Sequence, residues 1–288
     1  MYPLQKSLIH STLLILLLSP LLTLAANANH SQKQVIDRFI SYSSYPPQFE
    51  QLPWIIKETL ANSVSASNTH VIDLKKLTSI LLDAYDSRRV KHAMGQQLSL
   101  GYDHRHYLGL IQKLEGQPTR KLLDMALATT PLDIRNAKQA LIKHPVTAQR
   151  EALITTLLTA SGAIENALQT HAILHEVIHG LVNTTDTAKL NSIQKSQQKQ
   201  LAAPTESLRA TVTSETIAAA IITYRRASDD EIRQYIEFYN SAAGEWFKLT
   251  QQNGWLGALR NIGRDVAWQI QHTDNSDVQT ALEDELRL

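Results

Sequence analysis

Residues 147–182, TAQREALITTLLTASGAIENALQTHAILHEVIHGLV, decide the fold class. Leu153, Leu157, Ala160, Ile164, Leu168, His171, Ile178 and Val182 follow one another mostly at steps of three and four. That spacing puts side chains on one face of a helix with 3.6 residues per turn. The pattern predicts one helix over Thr147–Val182, on the order of 50 Å long at 1.5 Å per residue.

Working outward, the same period returns between proline and polar breaks. Val35–Tyr42 is a short helix ended by Pro46-Pro47, and Pro53 opens a helix over Trp54–Val64. Leu74, Leu77, Leu81, Leu82 and Tyr85 mark a helix from Asp73 that runs on to Leu100. Tyr107–Leu114 and Thr119–Ala128 are two more, and Pro131 opens a helix closed by His144-Pro145. Pro204–Ala227 carries Leu208, Val212, Ile217, Ile221 and Tyr224 on one face. No run alternates apolar and polar residues over strand length. The expected fold is all-α, a bundle of roughly eight to ten helices.

The N-terminus reads as a cleaved signal peptide. Residues 1–11 carry Lys6 and no acid, and the apolar run Thr12–Leu24 is interrupted by Ser19-Pro20. That run is shorter than the roughly 20 residues a membrane span needs. Ala26-Asn27-Ala28 follows as a small-residue processing site. The expected organisation is a signal peptide over 1–28, an N-terminal helical region over 29–183, and a polar linker or solvated helix over 184–203. A C-terminal helical region over 204–272 and a peripheral tail over 273–288 complete it. The mature chain is expected to be periplasmic or secreted, without a membrane span.

Composition removes several function classes. The chain has no cysteine, which excludes disulfides, thiolate metal sites, thiol nucleophiles and lipid attachment at a mature N-terminal cysteine. Lys6 is the only charged residue before Asn29, so 28 basic residues less this one balance 27 acidic ones. A neutral mature chain offers no nucleic-acid or anionic-membrane surface. No P-loop, dinucleotide fingerprint or G-x-S-x-G elbow is present.

One motif carries chemistry. His175-Glu176-Val177-Ile178-His179 is H-E-x-x-H, in which two imidazoles four residues apart share a helix face and can grip zinc. Glu176 would then activate the bound water. His171 extends the ladder but lies about 12 Å along the helix from His179, too far for one ion. A catalytic site needs a third ligand, and Asp186, Glu206 and Glu215 are the candidates. On the periodicity above, the three histidines project within about 60° of a stripe centred on Ile164, a placement that suits packing. Asp103-His104-Arg105-His106 reads as a solvated turn, and Arg225-Arg226 as partners of a helix C-terminus.

The last informative stretch is Tyr224–Leu259, YRRASDDEIRQYIEFYNSAAGEWFKLTQQNGWLGAL. Ser228 with Glu231 three residues later forms a capping-box pattern, and Asp229 and Asp230 suit the positive end of a helix. Ile232, Tyr235, Ile236 and Tyr239 share a face, and Gly244 lets another helix come close. Tyr235, Tyr239 and Trp246 could also roof a ligand pocket. Tyr224, Ser228 with its acidic neighbours, Phe238-Tyr239, and Ser241 with Gly244 resemble the C-terminal hairpin of the bacterial exported family catalogued as domain of unknown function 2059. The resemblance spans about residues 204–260, and Ala242 stands where that family usually has proline. It implies a helical fold and an exported compartment, and no cofactor or catalytic residue.

Two functions are expected in order. The first is an exported, non-enzymatic binding or interaction protein of the cell envelope, taking a protein partner or a small ligand and needing no cofactor. The alternative is a zinc-dependent hydrolase with His175 and His179 as ligands and Glu176 as general base.

Overall fold

The structure, a computed structural model, describes residues 31–43, 45–65, 74–116, 119–183 and 206–285, with side chains as far as residue 270. The expected signal peptide, the 184–203 linker, Pro204 and Asp186 lie outside the described residues. Those residues form thirteen helices and no strand. They are α1 (31–41), α2 (Pro46–Ser65), α3 (Leu74–Ala84), α4 (Ser87–Leu100), α5 (His104–Leu114), α6 (Thr119–Ala128) and α7 (Pro131–Arg135). Then follow α8 (Ala137–Lys143), α9 (Ala148–Ser161), α10 (Ala163–Asn183), α11 (Glu206–Thr223), α12 (Asp229–Asn240) and α13 (Ala242–Glu285). The fold is all-α, with more helices than the eight to ten expected.

The surplus comes from breaks that apolar spacing does not register. The continuous helix expected over 147–182 is two helices. Gly162 adopts φ 69°, ψ 16°, and its N–H closes onto the Leu158 and Thr159 carbonyls. A left-handed residue at this position ends a helix, and glycine adopts it without a Cβ penalty. Asp86 divides the helix expected from 73 to 100 because its carboxylate accepts from the Arg88 N–H at 3.0 Å, starting α4 afresh. Asn136 separates α7 from α8, and Thr130 and Asp133 close a capping box at the start of α7. In α2 the expectation fails the other way. Pro46-Pro47 open the helix and Pro53 lies inside it, so the Phe49 carbonyl loses its helical donor. Asp103 caps α5 by accepting from Arg105 and His106 N–H, so the expected solvated turn at 103–106 is a helix start.

A single apolar core runs from Val35 to Ala267. Its spine is α13, 44 residues and therefore about 66 Å long. This helix packs on α4 above all, then on α10 and α12. Trp255, Ala258, Leu259 and Val266 are its buried face. Tyr85 hydrogen-bonds the Leu259 carbonyl at 3.2 Å from α3's end, and Phe39 of α1 packs edge-on against Phe247. Opposite, α12 lies on α9 and α6, while α10 is sandwiched between α2, α13 and α11. No described helix is long and apolar enough to cross a membrane.

Candidate functional site

The Gly162 turn aims the first half of α10 at the middle of the molecule. Asn166 and Thr170 are four residues apart, so they share one helix face, and both are more than nine-tenths buried. The Thr170 hydroxyl donates to the Asn166 carbonyl at 2.8 Å and accepts the Trp255 indole N–H at 2.8 Å. Trp255 in turn stacks on Tyr45, with ring centroids 4.9 Å apart and planes 23° apart. These groups border a half-open cavity of about 260 Å³ lined chiefly by α2, α9, α10, α11, α12 and α13. Tyr235 and Tyr239 of α12 form part of its wall, their hydroxyls 3.4 Å apart. Trp54, 41% exposed on α2, stands at its edge.

The wall combines six aromatic residues with aliphatic ones and a larger set of polar side chains, among them Gln51, Asn166, Thr170, Glu215 and Gln251. Burial pushes the phenols of Tyr45, Tyr224, Tyr235 and Tyr239 well above their ordinary value of 10. They are neutral at physiological pH. At Tyr45 burial dominates, and the neighbouring Asn166 amide only partly offsets it. The Oδ1 of Asn166 is buried without a hydrogen-bond partner. Its lack of a partner carries a cost of about 1–3 kcal/mol for a group of this kind.

Charge stays at the margin. Glu215 of α11 lines the cavity but pairs outward with Lys138 at 3.1 Å. Lys248 of α13 reaches the Ala160 carbonyl at 3.5 Å, covering the end of α9, where a cation suits the helix dipole. His171 also lines the cavity, and desolvation lowers its pKa against the opposing pull of Glu215. The imidazole is held neutral.

The histidine ladder of α10 is not on the packed face. Ile173, Leu174, Val177, Ile178, Leu181 and Val182 are buried, Ile164 is half-buried, and His175 and His179 are exposed. Each step of four residues advances about 40° around a helix of 3.6 residues per turn. The ladder therefore drifts from the edge of the core at His171 to solvent at His179. The His175 and His179 rings stack at 5.4 Å and 12°. Desolvation and then the His179 charge lower the pKa of His175. Among the described residues no group of three or more His, Cys, Asp or Glu could hold a metal ion. Glu215 lies on the cavity side with Lys138, and Asp186 lies outside the described residues. The structure thus places His175 and His179 together, with no third ligand beside them among the described residues.

The 224–259 stretch folds as a clamp. Ser228 and Glu231 exchange capping bonds at the start of α12, with Ser228 N–H to Glu231 Oε2 at 2.8 Å and Glu231 N–H to Ser228 Oγ at 3.2 Å. Arg150 of α9 pairs with Asp229 and donates to the Tyr224 and Ala227 carbonyls at 2.8 and 2.6 Å. One guanidinium thereby holds the α11–α12 turn. Ser241 Oγ donates to the Phe238 carbonyl and accepts the Gly244 N–H, linking the end of α12 to the start of α13. A Cβ on Gly244 would fall on the Phe238 carbonyl and 2.6 Å from Tyr239 Cα. The start of α13 thus lies directly against the end of α12, the helix whose Tyr235 and Tyr239 line the cavity. Trp246, expected beside them, instead packs against Phe39, Tyr107 and His106.

Sequence reasoning missed Asn166, Thr170, Tyr45 and Trp255. The available signal was two polar residues, four apart, interrupting the apolar face of α10. The chain matches no family model, no curated protein and no solved structure.

Proposed function

We propose that this chain is an exported binding protein of the cell envelope that acts without covalent chemistry, with the central cavity as its ligand site. The observation that carries the reading is a half-open cavity of about 260 Å³ with six aromatic residues in its wall and, on the lining residue Asn166, a buried amide oxygen without a partner. Protein cores are packed to crystal-like density, and an unsatisfied buried polar atom is rare in them. Both departures at one place fit a ligand site. The signal-peptide pattern of residues 1–28 supports export, as does the resemblance of 204–260 to the exported family. Two measurements test the reading. Expression with the native leader in a Gram-negative host should yield a processed chain beginning at Asn29 in the periplasmic fraction. Calorimetric titration of that chain against a panel of small neutral and charged metabolites should give saturable binding. An unprocessed cytoplasmic product, or a panel with no binder, refutes the corresponding half.

A second reading, the zinc hydrolase, is favoured by the stacked His175–His179 pair beside Glu176. It requires a third ligand from outside the described residues. Protein purified from zinc-supplemented medium should then carry stoichiometric zinc, and the paired substitution His175→Ala, His179→Ala should remove it. Metal-free wild-type protein would dismiss the hydrolase.

A further inference from the structure

His175 and His179 lie outside the cavity and are left unused by it. Both are exposed on α10, with ring centroids 5.4 Å apart and planes 12° from parallel. Residues four apart on a helix are separated by about 6 Å along its axis and about 40° around it. The side-by-side placement of the two rings therefore follows from the backbone of α10, which is continuous helix from Ala163 to Asn183.

Two adjacent imidazoles are part of a metal site. Imidazole nitrogen is a ligand for zinc, and two on one helix face, four residues apart, can hold the same ion. Zinc in a structural site takes four protein ligands, and a catalytic zinc keeps three with one position open to water. This chain supplies two at this place. His171 extends the ladder in the other direction, half-buried in the cavity wall and about 12 Å along the helix from His179. Among the described residues, no group of three or more His, Cys, Asp or Glu could hold a metal ion.

A second copy of the chain closes the deficit. Homo-oligomers associate most often as two-fold dimers, and a two-fold interface joins the same patch on both partners. A two-ligand patch on such an axis becomes a four-ligand site, with the ion on the axis and the tetrahedral set of zinc complete. The pair meets the requirement of access, because both imidazoles stand at the surface. A pair buried within the fold could not be shared.

We infer that His175 and His179 form half of a zinc site that a second copy of this chain completes, giving a four-histidine centre across a two-fold axis. The site stands apart from the cavity reading. It shares its ligands with the hydrolase reading but excludes the hydrolytic water, since four imidazoles leave zinc no open position.

The chain is stripped of metal with a chelator and titrated with zinc alone. Its mass is followed by sedimentation and its bound metal by elemental analysis. It should be a monomer without zinc and a dimer with it, at one ion per two chains. Zinc should lower the dimer dissociation constant at least about tenfold, and a chelator should reverse the change. Cobalt in place of zinc should give the intense visible absorption of a tetrahedral centre. His179→Ala removes two of the four ligands and should abolish both effects, as should His175→Ala, with circular dichroism confirming that each variant keeps its helices. If a variant does not fold, the stoichiometry and cobalt spectrum of the wild type still decide. One ion per chain on a monomer would overturn the shared site and favour the hydrolase. A dimer indifferent to zinc would overturn the role of the metal. Zinc-dependent dimers that persist in both variants would overturn these residues as ligands. Weak uptake without change of mass, equal in wild type and variants, would mean an adventitious ion only and overturn the site. Absence of zinc binding would remove this site and the hydrolase together. Every one of these outcomes leaves the cavity reading as it was.

Discussion

His171 shows how one residue can carry two roles that a sequence pattern runs together. It is spaced as part of a metal-binding ladder, yet it lies in the cavity wall, where burial depresses its pKa and Glu215 only partly offsets this. An unfolded imidazole titrates near 6.5, and the folded one does so at lower pH. Between the two values the unfolded chain binds more protons. Stability is therefore full above about pH 6.5, declines as the pH drops through that window, and levels off below the folded pKa. His175 shifts in the same direction. The carboxylates of Asp86, Asp103, Glu115, Asp133 and Glu231 are held below their ordinary values, so their losses come at lower pH. Urea midpoints should fall between about pH 7.5 and pH 5, and His171→Gln should flatten that slope. An unchanged slope in the variant would remove His171 as its source. Gly244 is the other decisive single position. Gly244→Ala forces a methyl group into the Phe238 carbonyl, and equilibrium unfolding should show a loss of about 3 kcal/mol.

At the scale of elements, the turns between helices carry the specificity. The α11–α12 turn is held by the Ser228–Glu231 capping box on one side and by Arg150 on the other. The Arg150 side chain is 16% exposed and satisfies two carbonyls of the turn, those of Tyr224 and Ala227, as well as Asp229. Arg150→Ala leaves those groups short of a donor and should cost about 2–3 kcal/mol. Arg150→Lys should recover only part of this, because an ammonium lacks the planar fork that reaches three acceptors. Ser228→Ala should cost about 1 kcal/mol. Urea denaturation of the full chain checks all three, and equal stability of the Ala and Lys variants at Arg150 would contradict the fork argument. The capping box could be read directly as S-x-x-E, because both partners lie within one turn. Arg150 could not, since its partners lie 74 to 79 residues away and nothing local marks it.

Across the whole molecule, buried phenols set an alkaline limit. Tyr45, Tyr85, Tyr224, Tyr235 and Tyr239 all have pKa values raised by burial, while an unfolded tyrosine ionises near 10. Above that pH the folded chain holds more protons than the unfolded one. Stability is fully present below about pH 10 and is lost as the pH rises further. Phenolate absorbance and helical circular dichroism should therefore change together in one cooperative step above about pH 10. Gradual ionisation at constant helicity would show that the phenols are reachable by water in the native state. The same five rings join α2, α3, α11 and α12 to the spine helix, so the transition reports on the core as a whole.

The sequence alone determined that this chain is built of helices, because apolar residues recur every three or four positions and that period is a property of each segment by itself. It also determined several helix starts, where a cap and its partner are near neighbours, and it marked Tyr235 and Tyr239 as an aromatic pair on one face. Tertiary structure decided where the 147–182 helix breaks, since the phase of α10 is reset by a backbone conformation at Gly162 that hydrophobic spacing does not encode. It moved His175 and His179 off the core face, because a ladder of fours drifts around a helix of 3.6 residues per turn. It also brought Thr170 to Trp255 across 85 residues to build the cavity. Periodicity speaks for each segment separately, and a site made where segments meet is fixed only by how they pack.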